Sequence, residues 1–574
     1  MPKKRQRSIT NCLNLEAARS TLNVPIQPDN RTGLYQRMEF LIRNETVPVG
    51  VSEYVKVPVS ALRKLSSLAS CSQCHGKCEL REDSSKVICI DCDAEVISYA
   101  EPMFECPDGR KLKADKLRQI YDTLINGTGF AGYIESCTNL GLSHISKPSY
   151  YEYCKFLYQN MEKMWEIHRE QLQNSMRHVL HNSEMTCAPD GLLELDVSFD
   201  GTWMTRGFRS HIGVGFVIDV IKGFVLDFEV LSNFCQVCNK NKKSKSPKEF
   251  DEWKKNHKNC TKNFDGKSGA MEAECALRLW KRSEKLGYRY TGFISDGDSA
   301  SFKAVSELNG GKGPYASATV TKMECVNHVA KRMGTRLRQL KKNHRQPQKT
   351  KKSGATVMRS VYGGRTGLTD ADIDRISAHY GQCIRNQQPE GTVDDLRNRI
   401  LAIYYHASSH DEEPRHGQCP IGENSWCWYQ KAIAKNETPA SHSSKHLYLS
   451  GLSKDLLVNI LKIFIDLTST SLLQRCLQVH TQNRNESLHS KLWRKCLKVK
   501  HAYLHRVVFA ASVTALIHNA GPVHGSLLHS LGLLTKESIQ TKCNQVETIK
   551  KSRIVKRKKF ADEEPSTSYA PGGF

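Results

Sequence analysis

The stretch LLELDVSFDGTW (residues 192–203) alternates apolar and polar side chains and carries two aspartates four positions apart, Asp196 and Asp200. A period of two over that length specifies a β-strand with one buried face, and an even separation turns both carboxyl groups to the same face. Two more β-rich runs follow, SHIGVGFVIDVI (210–221) and GFVLDFEVLSN (223–233), the second junction being only Lys222-Gly223. Connections that short fit antiparallel neighbours. A helix-like stretch at 269–285 precedes a fourth strand, RYTGFISDGD (289–298), and a fifth is expected at SATVTKMEC (317–325).

Three antiparallel strands, then helix, strand, helix and strand, is the order of a ribonuclease H-like α/β core. Around it the chain reads as a series of segments. Residues 1–60 form a loosely ordered basic leader, 61–110 a cysteine-dense zinc-ribbon-like domain, and 111–190 a helical segment. In the last of these, Phe156, Met161, Met164, Trp165 and Ile167 recur near a 3.6 period. The first part of the core spans 191–340, with a zinc-binding insertion at 235–260. An all-helical insertion is expected over 341–479, where Thr369 and Thr392 are good N-caps followed by acidic first turns. Residues 480–535 complete the core with a helix bearing Glu486, and 536–574 read as a basic, disordered tail.

Lys and Arg number 84 against 59 Asp and Glu, a formal net charge of +25. That balance favours a polyanionic partner, nucleic acid ahead of a membrane surface. The longest apolar stretch, 507–517, is too short to span a bilayer and the first ten residues lack an apolar signal core, so a soluble, unsecreted chain with no membrane partner is expected. In a reducing compartment the 21 cysteines are better read as metal ligands than as disulfides. The basic runs PKKRQR (2–7) and KKSRIVKRKK (550–559) read as nuclear-import signals, phosphate-binding arms or solvated charge, and a nuclear location fits them.

Cys71-x2-Cys74 and Cys89-x2-Cys92 have the spacing of two knuckles that present four thiolates to one Zn2+; His75, Cys78 and Cys106 are alternative ligands. A second set, Cys235-x2-Cys238 and His257-x2-Cys260, follows the third strand and encloses a lysine-rich segment, again suiting structural Zn2+. A vaguer group, His416, Cys419 and Cys427 with His406 and His410 upstream, reads as packing residues of a helical domain.

The acids carry the chemistry. Two-metal phosphoryl transfer needs oxygen ligands holding two Mg2+ or Mn2+ roughly 3.5 to 4 Å apart. In a ribonuclease H-like core they come from the first strand, the end of the fourth and a late helix. Asp200, Asp296 and Glu486 occupy those places, with Asp298 as an alternate second acid. Ten Lys and Arg with no acid lie between positions 331 and 352, a DNA-binding candidate that includes Lys331, Arg332, Arg336, Arg338, Lys341, Lys342 and Arg345.

Taken in order, DVSFDGTW, the Cys/His insertion, SGAMEAE (268–274), SDGDS (295–299), ECVNHVAKRMGTRLRQL (324–340) and NRNESLHSKLW (483–493) closely resemble the Mutator-like transposases of animal genomes. The resemblance implies a cut-and-paste DNA transposase acting on terminal inverted repeats and target DNA, with an Asp/Asp/Glu triad matched by Asp200, Asp296 and Glu486. It also implies a homo-oligomer holding two element ends in a synaptic complex. The family's Cys-x2-His signature matches Cys325 and His328, as accessory residues or as a helix-start Cys and a structural His. Two other readings share these features, a catalytically silent DNA- or chromatin-binding descendant and a structure-specific nuclease. Asp200, at the Asp-Gly-Thr, is preferred over Asp196 as first ligand.

Overall fold

The computed structural model describes residues 59–528, apart from 82–85, 99–102, 107–108, 182–187, 206–208, 297–299, 350–355, 363–366, 388–390, 446, 499–501 and 522–526, and beyond them residues 531, 548 and 552. The basic run at 2–7, the run at 550–559 apart from residue 552, almost all of the expected leader and tail, and Asp298 lie outside the described residues. Two compact units account for the chain, Met1–Glu184 with Ser490–Lys550, and Met185–His489 with Lys551–Phe574.

In the first unit, β1 (Cys78–Leu80), β2 (Lys86–Cys89) and β3 (Glu95–Ser98) form an antiparallel sheet in the order β1-β2-β3. Its buried core is Cys71, Cys78, Val87 and Cys89, too little apolar surface to hold a fold by itself. A hairpin of β4 (Met103–Glu105) and β5 (Lys111–Lys113) leads into helices Ala114–Ile125, Phe130–Asn139 and Lys147–His181. Helix Leu504–Ala520 belongs with these: Phe509 packs against Tyr121 and Tyr158, and the Arg506 guanidinium donates to the Leu124 carbonyl at 2.6 Å. Val507, Phe509, Ala510, Ala511 and Val513 are all fully buried, and a helix apolar on every side needs helices around it. The sequence reading assigned 480–535 to completing the sheet; from Ser490 onward the chain groups with the first unit instead.

The second unit is built on a five-stranded sheet of β6 (Leu193–Trp203), β7 (Ile212–Asp219), β8 (Val225–Ser232), β9 (Tyr288–Ser295) and β10 (Thr321–Glu324), in the order β10-β9-β6-β7-β8. β6 is central, antiparallel to β7 and parallel to β9; β7 and β8 are antiparallel and β9 and β10 parallel. Helix Met271–Ser283 covers one face. There Trp280 stacks on Phe293 with centroids 4.4 Å apart, and Arg282 pairs with the fully buried Asp227 at 2.6 Å. The opposite face receives the first turns of helix Asn483–Lys495, where His489 packs on Phe216. The β7–β8 turn fixes that docking. Gly223 has φ of 77°, which L side chains rarely adopt, and a Cβ there would meet the Arg484 guanidinium at 2.7 Å. Arg484 in turn donates to the Val220 carbonyl at 2.6 Å.

Beyond β10 the unit becomes helical. Val326–Asn343, Asp370–Arg385, Val393–Ala407 and Lys454–Leu467 share a core that includes Met333, Ile373, Tyr380, Ile400 and Phe464. Thr369 and Thr392 close capping boxes with Asp372 and Asp395. The segment is not helical throughout: β11 (Arg345–Lys349) and β12 (Thr356–Ser360) form an antiparallel hairpin. Pro347 cannot continue a helix, and β-branched Thr356 and Val357 favour the strand that pairs with it.

Candidate active site and metal centres

Asp200 lies on the central strand, paired with Phe216 of β7, its side chain one-quarter exposed. Asp296 follows the last residue of β9, and Glu486 lies in the first turn of helix Asn483–Lys495. Both are largely exposed. His328, near the start of helix Val326–Asn343, joins them: its Nδ1 is 3.8 Å from Asp296 Oδ1 and its Nε2 is 3.8 Å from Glu486 Oε1. Cys325, which caps the same helix, and the Asp296 carboxylate push the His328 imidazole up to about 9, so it is cationic at neutral pH. Cys325 is buried, and its sulfur accepts from the Gln482 backbone N–H at 3.4 Å.

Buried amides set the position of Glu486. Asn485 Oδ1 accepts from the Ser198 hydroxyl at 2.7 Å, and Gln482 Nε2 donates to the Phe199 carbonyl at 2.8 Å. Gln482 Oε1 also lies 3.2 Å from His328 Nδ1. These bonds meet β6 at the two residues just before Asp200 and bring the helix start to the first acid.

Two residues not singled out for a role complete the group. Glu272, in the first turn of Met271–Ser283, lies against Gly201, where a Cβ would meet its Cγ at 2.7 Å. Burial first, then the Glu272 charge, pushes the Asp200 carboxyl up to about 7; Asp296 adds to this and His328 opposes it. His489 Nδ1 is 3.6 Å from Asp200 Oδ2. Its signal was present in NRNESLHS, because Glu486 and His489 are three residues apart on a helix and share a face. Glu272 had only a helix-start acid to announce it. No three of these carboxylates present oxygens within 4.8 Å of one another among the described residues; like charges repel, and His328 stands between two of them. Asp196, the rival on β6, pairs with Gly292, where a Cβ would collide with its Oδ1 at 2.1 Å, and its charge senses His480.

An open cleft of about 620 Å3 runs from Glu486 past Lys331 and Arg338 to Arg385. Several cations of the 331–352 run are engaged within their own unit. Arg332 pairs with the buried Glu324 at 2.7 Å, Arg336 with Asp466 at 3.0 Å, Lys341 with Asp370 at 3.2 Å, and Arg338 with Asp374. Arg332 is thereby part of the framework. Lys342 and Arg345 are exposed.

Both expected zinc sets gather, their ligand atoms lying within 4.8 Å. A tetrahedral zinc with bonds of roughly 2.3 Å to sulfur and 2.0 Å to nitrogen holds its ligand atoms about 3.3 to 3.8 Å apart. Cys74 Sγ lies 3.4 Å from Cys89 Sγ and 3.3 Å from Cys92 Sγ, and Cys71 Sγ lies 3.6 Å from Cys92 Sγ. Each Cys-x2-Cys is followed by a left-handed residue, His75 at φ 60° and Asp93 at φ 57°, whose N–H returns to the first cysteine's carbonyl. The Cys74 and Gln73 N–H groups hold Cys71 down at about 7, favouring the thiolate. His75, Cys78 and Cys106 stand outside this set. In the second set, Cys235 Sγ is 3.5 Å from His257 Nε2 and Cys238 Sγ is 3.5 Å from Cys260 Sγ. The lysine-rich segment between them forms helices Gln236–Ser244 and Pro247–Asn256, and Trp253 stacks on His257. The clusters could bind zinc.

The group read as packing residues behaves otherwise. His406, His416, Cys419 and Cys427 are all buried and their ligand atoms also lie within 4.8 Å; His410 stands apart. The sequence hid this because His406 ends a helix while the other three sit on an irregular connection whose path no periodicity reports.

Among known proteins, the family model for Mutator-like transposase matches residues 66–427, ending before the helix that carries Glu486. No curated protein and no solved structure matches.

Proposed function

Because this chain belongs to the Mutator-like transposase family, we propose that it is a DNA transposase that cuts at terminal inverted repeats and joins the freed ends to target DNA through Asp200, Asp296 and Glu486. The family supports a nucleic-acid-cleaving enzyme and implies DNA binding. Two features support the finer reading of a ribonuclease H-like core. One is the sheet order β10-β9-β6-β7-β8 with β7 antiparallel between β6 and β8; the other is the location of the acids on the central strand, its parallel neighbour and a late helix.

The observation that carries the proposal is His328, 3.8 Å from both Asp296 and Glu486, beside an Asp200 whose carboxyl feels Glu272, His328 and Asp296. These side chains offer hard carboxylate oxygens at an open edge, the donors that Mg2+ and Mn2+ take. Bound there, such ions supply activation of the attacking oxygen and neutralisation of charge on the leaving oxygen. Asp200 contributes from the central strand of the sheet. Glu486 is held in reach by Asn485 and Gln482, so the third ligand depends on amides that never touch substrate. His328 stands between Asp296 and Glu486, one ring nitrogen facing each carboxylate. Lys331 and Arg385 in the adjoining cleft, with exposed Lys342 and Arg345, suit the phosphates of a DNA strand leading to Glu486.

Zn2+ at Cys71, Cys74, Cys89 and Cys92 and at Cys235, Cys238, His257 and Cys260 is proposed to be structural. Holding two element ends together calls for at least two copies of the chain, and acting on chromosomal DNA for a nuclear location. The test is incubation of the purified protein with labelled DNA carrying the inverted repeats that flank its coding sequence, with Mg2+ or Mn2+. Cleavage at the repeat end that Asp200→Ala abolishes supports the proposal; no cleavage by the wild type, or undiminished cleavage by the variant, contradicts it.

A further inference from the structure

The connection between helices Val393–Ala407 and Trp428–Ala434, residues 408–427, contains no regular element, an unusual length to hold in a compact unit without a staple. What gathers in its interior is polar. His406, His416, Cys419 and Cys427 are at most 4% exposed, with Ser409 and His442 also buried around them. Both imidazoles turn Nδ1 toward sulfur. Cys427 Sγ is 3.4 Å from His416 Nδ1, while Cys419 Sγ is 3.6 Å from His406 Nδ1 and 3.8 Å from His416 Nδ1. Those separations match the edges of a tetrahedron around zinc, and two thiolates with two imidazoles are a borderline-soft set that selects it. Buried cysteines alone need no metal, but two histidines aimed at two thiols by the same ring nitrogen do not arise from apolar packing.

The surroundings make the same assignment from the outside. His416 Nε2, facing away from the cysteines, is 2.9 Å from His442 Nε2, and His442 Nδ1 is 2.7 Å from Asp411 Oδ1. With Asp411 accepting from His442 Nδ1–H, His442 Nε2 is a lone pair, which lies 2.8 Å from the Ser409 hydroxyl and 2.9 Å from His416 Nε2; donation to it from His416 Nε2–H leaves the His416 Nδ1 lone pair pointing at the sulfurs. This carboxylate and imidazole relay fixes the ligand tautomer, the usual support of a zinc-bound histidine. Asp411 also accepts from the His442 N–H at 2.7 Å and from the Ser441 hydroxyl, so it is itself anchored.

We propose that His406, His416, Cys419 and Cys427 form a third zinc site, a two-cysteine, two-histidine centre within the helical part of the second unit, supported by His442 and Asp411. The ion staples the 408–427 connection and the His442 turn onto the end of helix Val393–Ala407. It is independent of the acids near Asp200 and stands or falls separately from transposase activity.

The test is zinc content of the full-length protein by elemental analysis. The Cys419→Ser, Cys427→Ser double variant is expected to carry one zinc ion fewer per chain than wild type, and Asp411→Asn to lose zinc to a competing chelator at ten- to a hundredfold lower chelator concentration. Should the double variant not fold, alkylation of the wild type mapped by mass spectrometry decides. Cys419 and Cys427 gain label when zinc is chelated if the ion holds them. Unchanged zinc content in the folded double variant, or unchanged labelling of both cysteines in a chain stripped of zinc, overturns the site.

Discussion

Asn485 accepts a 2.7 Å hydrogen bond from Ser198 across 287 positions of sequence, and both side chains are buried. Each neighbours an acid-bearing stretch, since Ser198 is two residues before Asp200 and Asn485 immediately precedes Glu486. The bond ties the third acid to the strand that carries the first.

Asn485→Ala is therefore expected to leave the Ser198 hydroxyl buried without this partner and to cost about 2 kcal/mol of stability. Cleavage should fall by at least a hundredfold while DNA binding is retained, because Glu486 loses its anchor and the cations of the cleft do not. Thermal unfolding, a binding isotherm and a cleavage rate on the same preparation check this. Cleavage within threefold of wild type would show that Asn485 does not position Glu486.

The proton on Asp200 gives a pH signature. With its carboxyl pushed up to about 7 by burial and by Glu272, the proton competes with any cation. Mn2+ affinity of the metal-free chain should rise about tenfold per pH unit below 7 and level off above it. Glu272→Gln removes a neighbouring charge and should start that plateau at lower pH. For stability without metal the sign is opposite to that of an ordinary paired carboxylate: folded Asp200 keeps a proton the unfolded chain releases, so this group costs stability as pH rises from about 4 through 7. Calorimetric Mn2+ titrations across that range read the first effect, and a pH-independent affinity would exclude it.

Chelation should unfold the β1–β3 sheet. Its buried core is three cysteines and one valine, so a zinc ion bound by the four thiolates would supply what apolar burial cannot. Limited proteolysis after zinc removal is expected to cut within 71–98 while the sheet of the second unit stays protected, and Cys89→Ser should do the same without chelator. Full protection of 71–98 in zinc-free protein would contradict it.

His168 predicts acid lability in the first unit. Burial holds its imidazole down at about 4, and the Asn519 amide lies 3.1 Å from its Nε2. In the unfolded chain a histidine titrates near 6.5, so the folded state gives up proton binding between the two values. The neutral ring costs nothing above about 6.5; stability is lost as pH falls from there toward 4, by on the order of 3 kcal/mol. Urea unfolding at pH 7 and pH 5 should show a smaller drop for His168→Gln, and an equal drop in both proteins would refute this.

How much of this was legible depends on where the information sits. The strands β6 to β10 were readable because alternation and short turns are local, as were the Thr369 and Thr392 caps. The first two cysteine sets were readable because their spacing is itself the signal, and so were the strand, the strand end and the helix on which Asp200, Asp296 and Glu486 lie. Glu272 was not: its approach to Asp200 depends on Gly201 lacking a side chain across a helix–sheet interface. Nor was the His406 cluster, whose members converge through an irregular loop, nor the grouping of helix Leu504–Ala520, whose uniformly apolar surface says that it is buried but not in which unit.

The central claim is that the carboxylate at position 200, not the one at 196, is the first metal ligand of a DNA-cleaving centre. The direct measurement is Mn2+-dependent cleavage of end-labelled inverted-repeat DNA by wild type, Asp200→Ala and Asp196→Ala. The expected result is a specific cut by the wild type, a loss of at least a thousandfold in Asp200→Ala and only a partial loss in Asp196→Ala. Undiminished cleavage by Asp200→Ala, or a wild type that binds the DNA and does not cut it, would contradict the account.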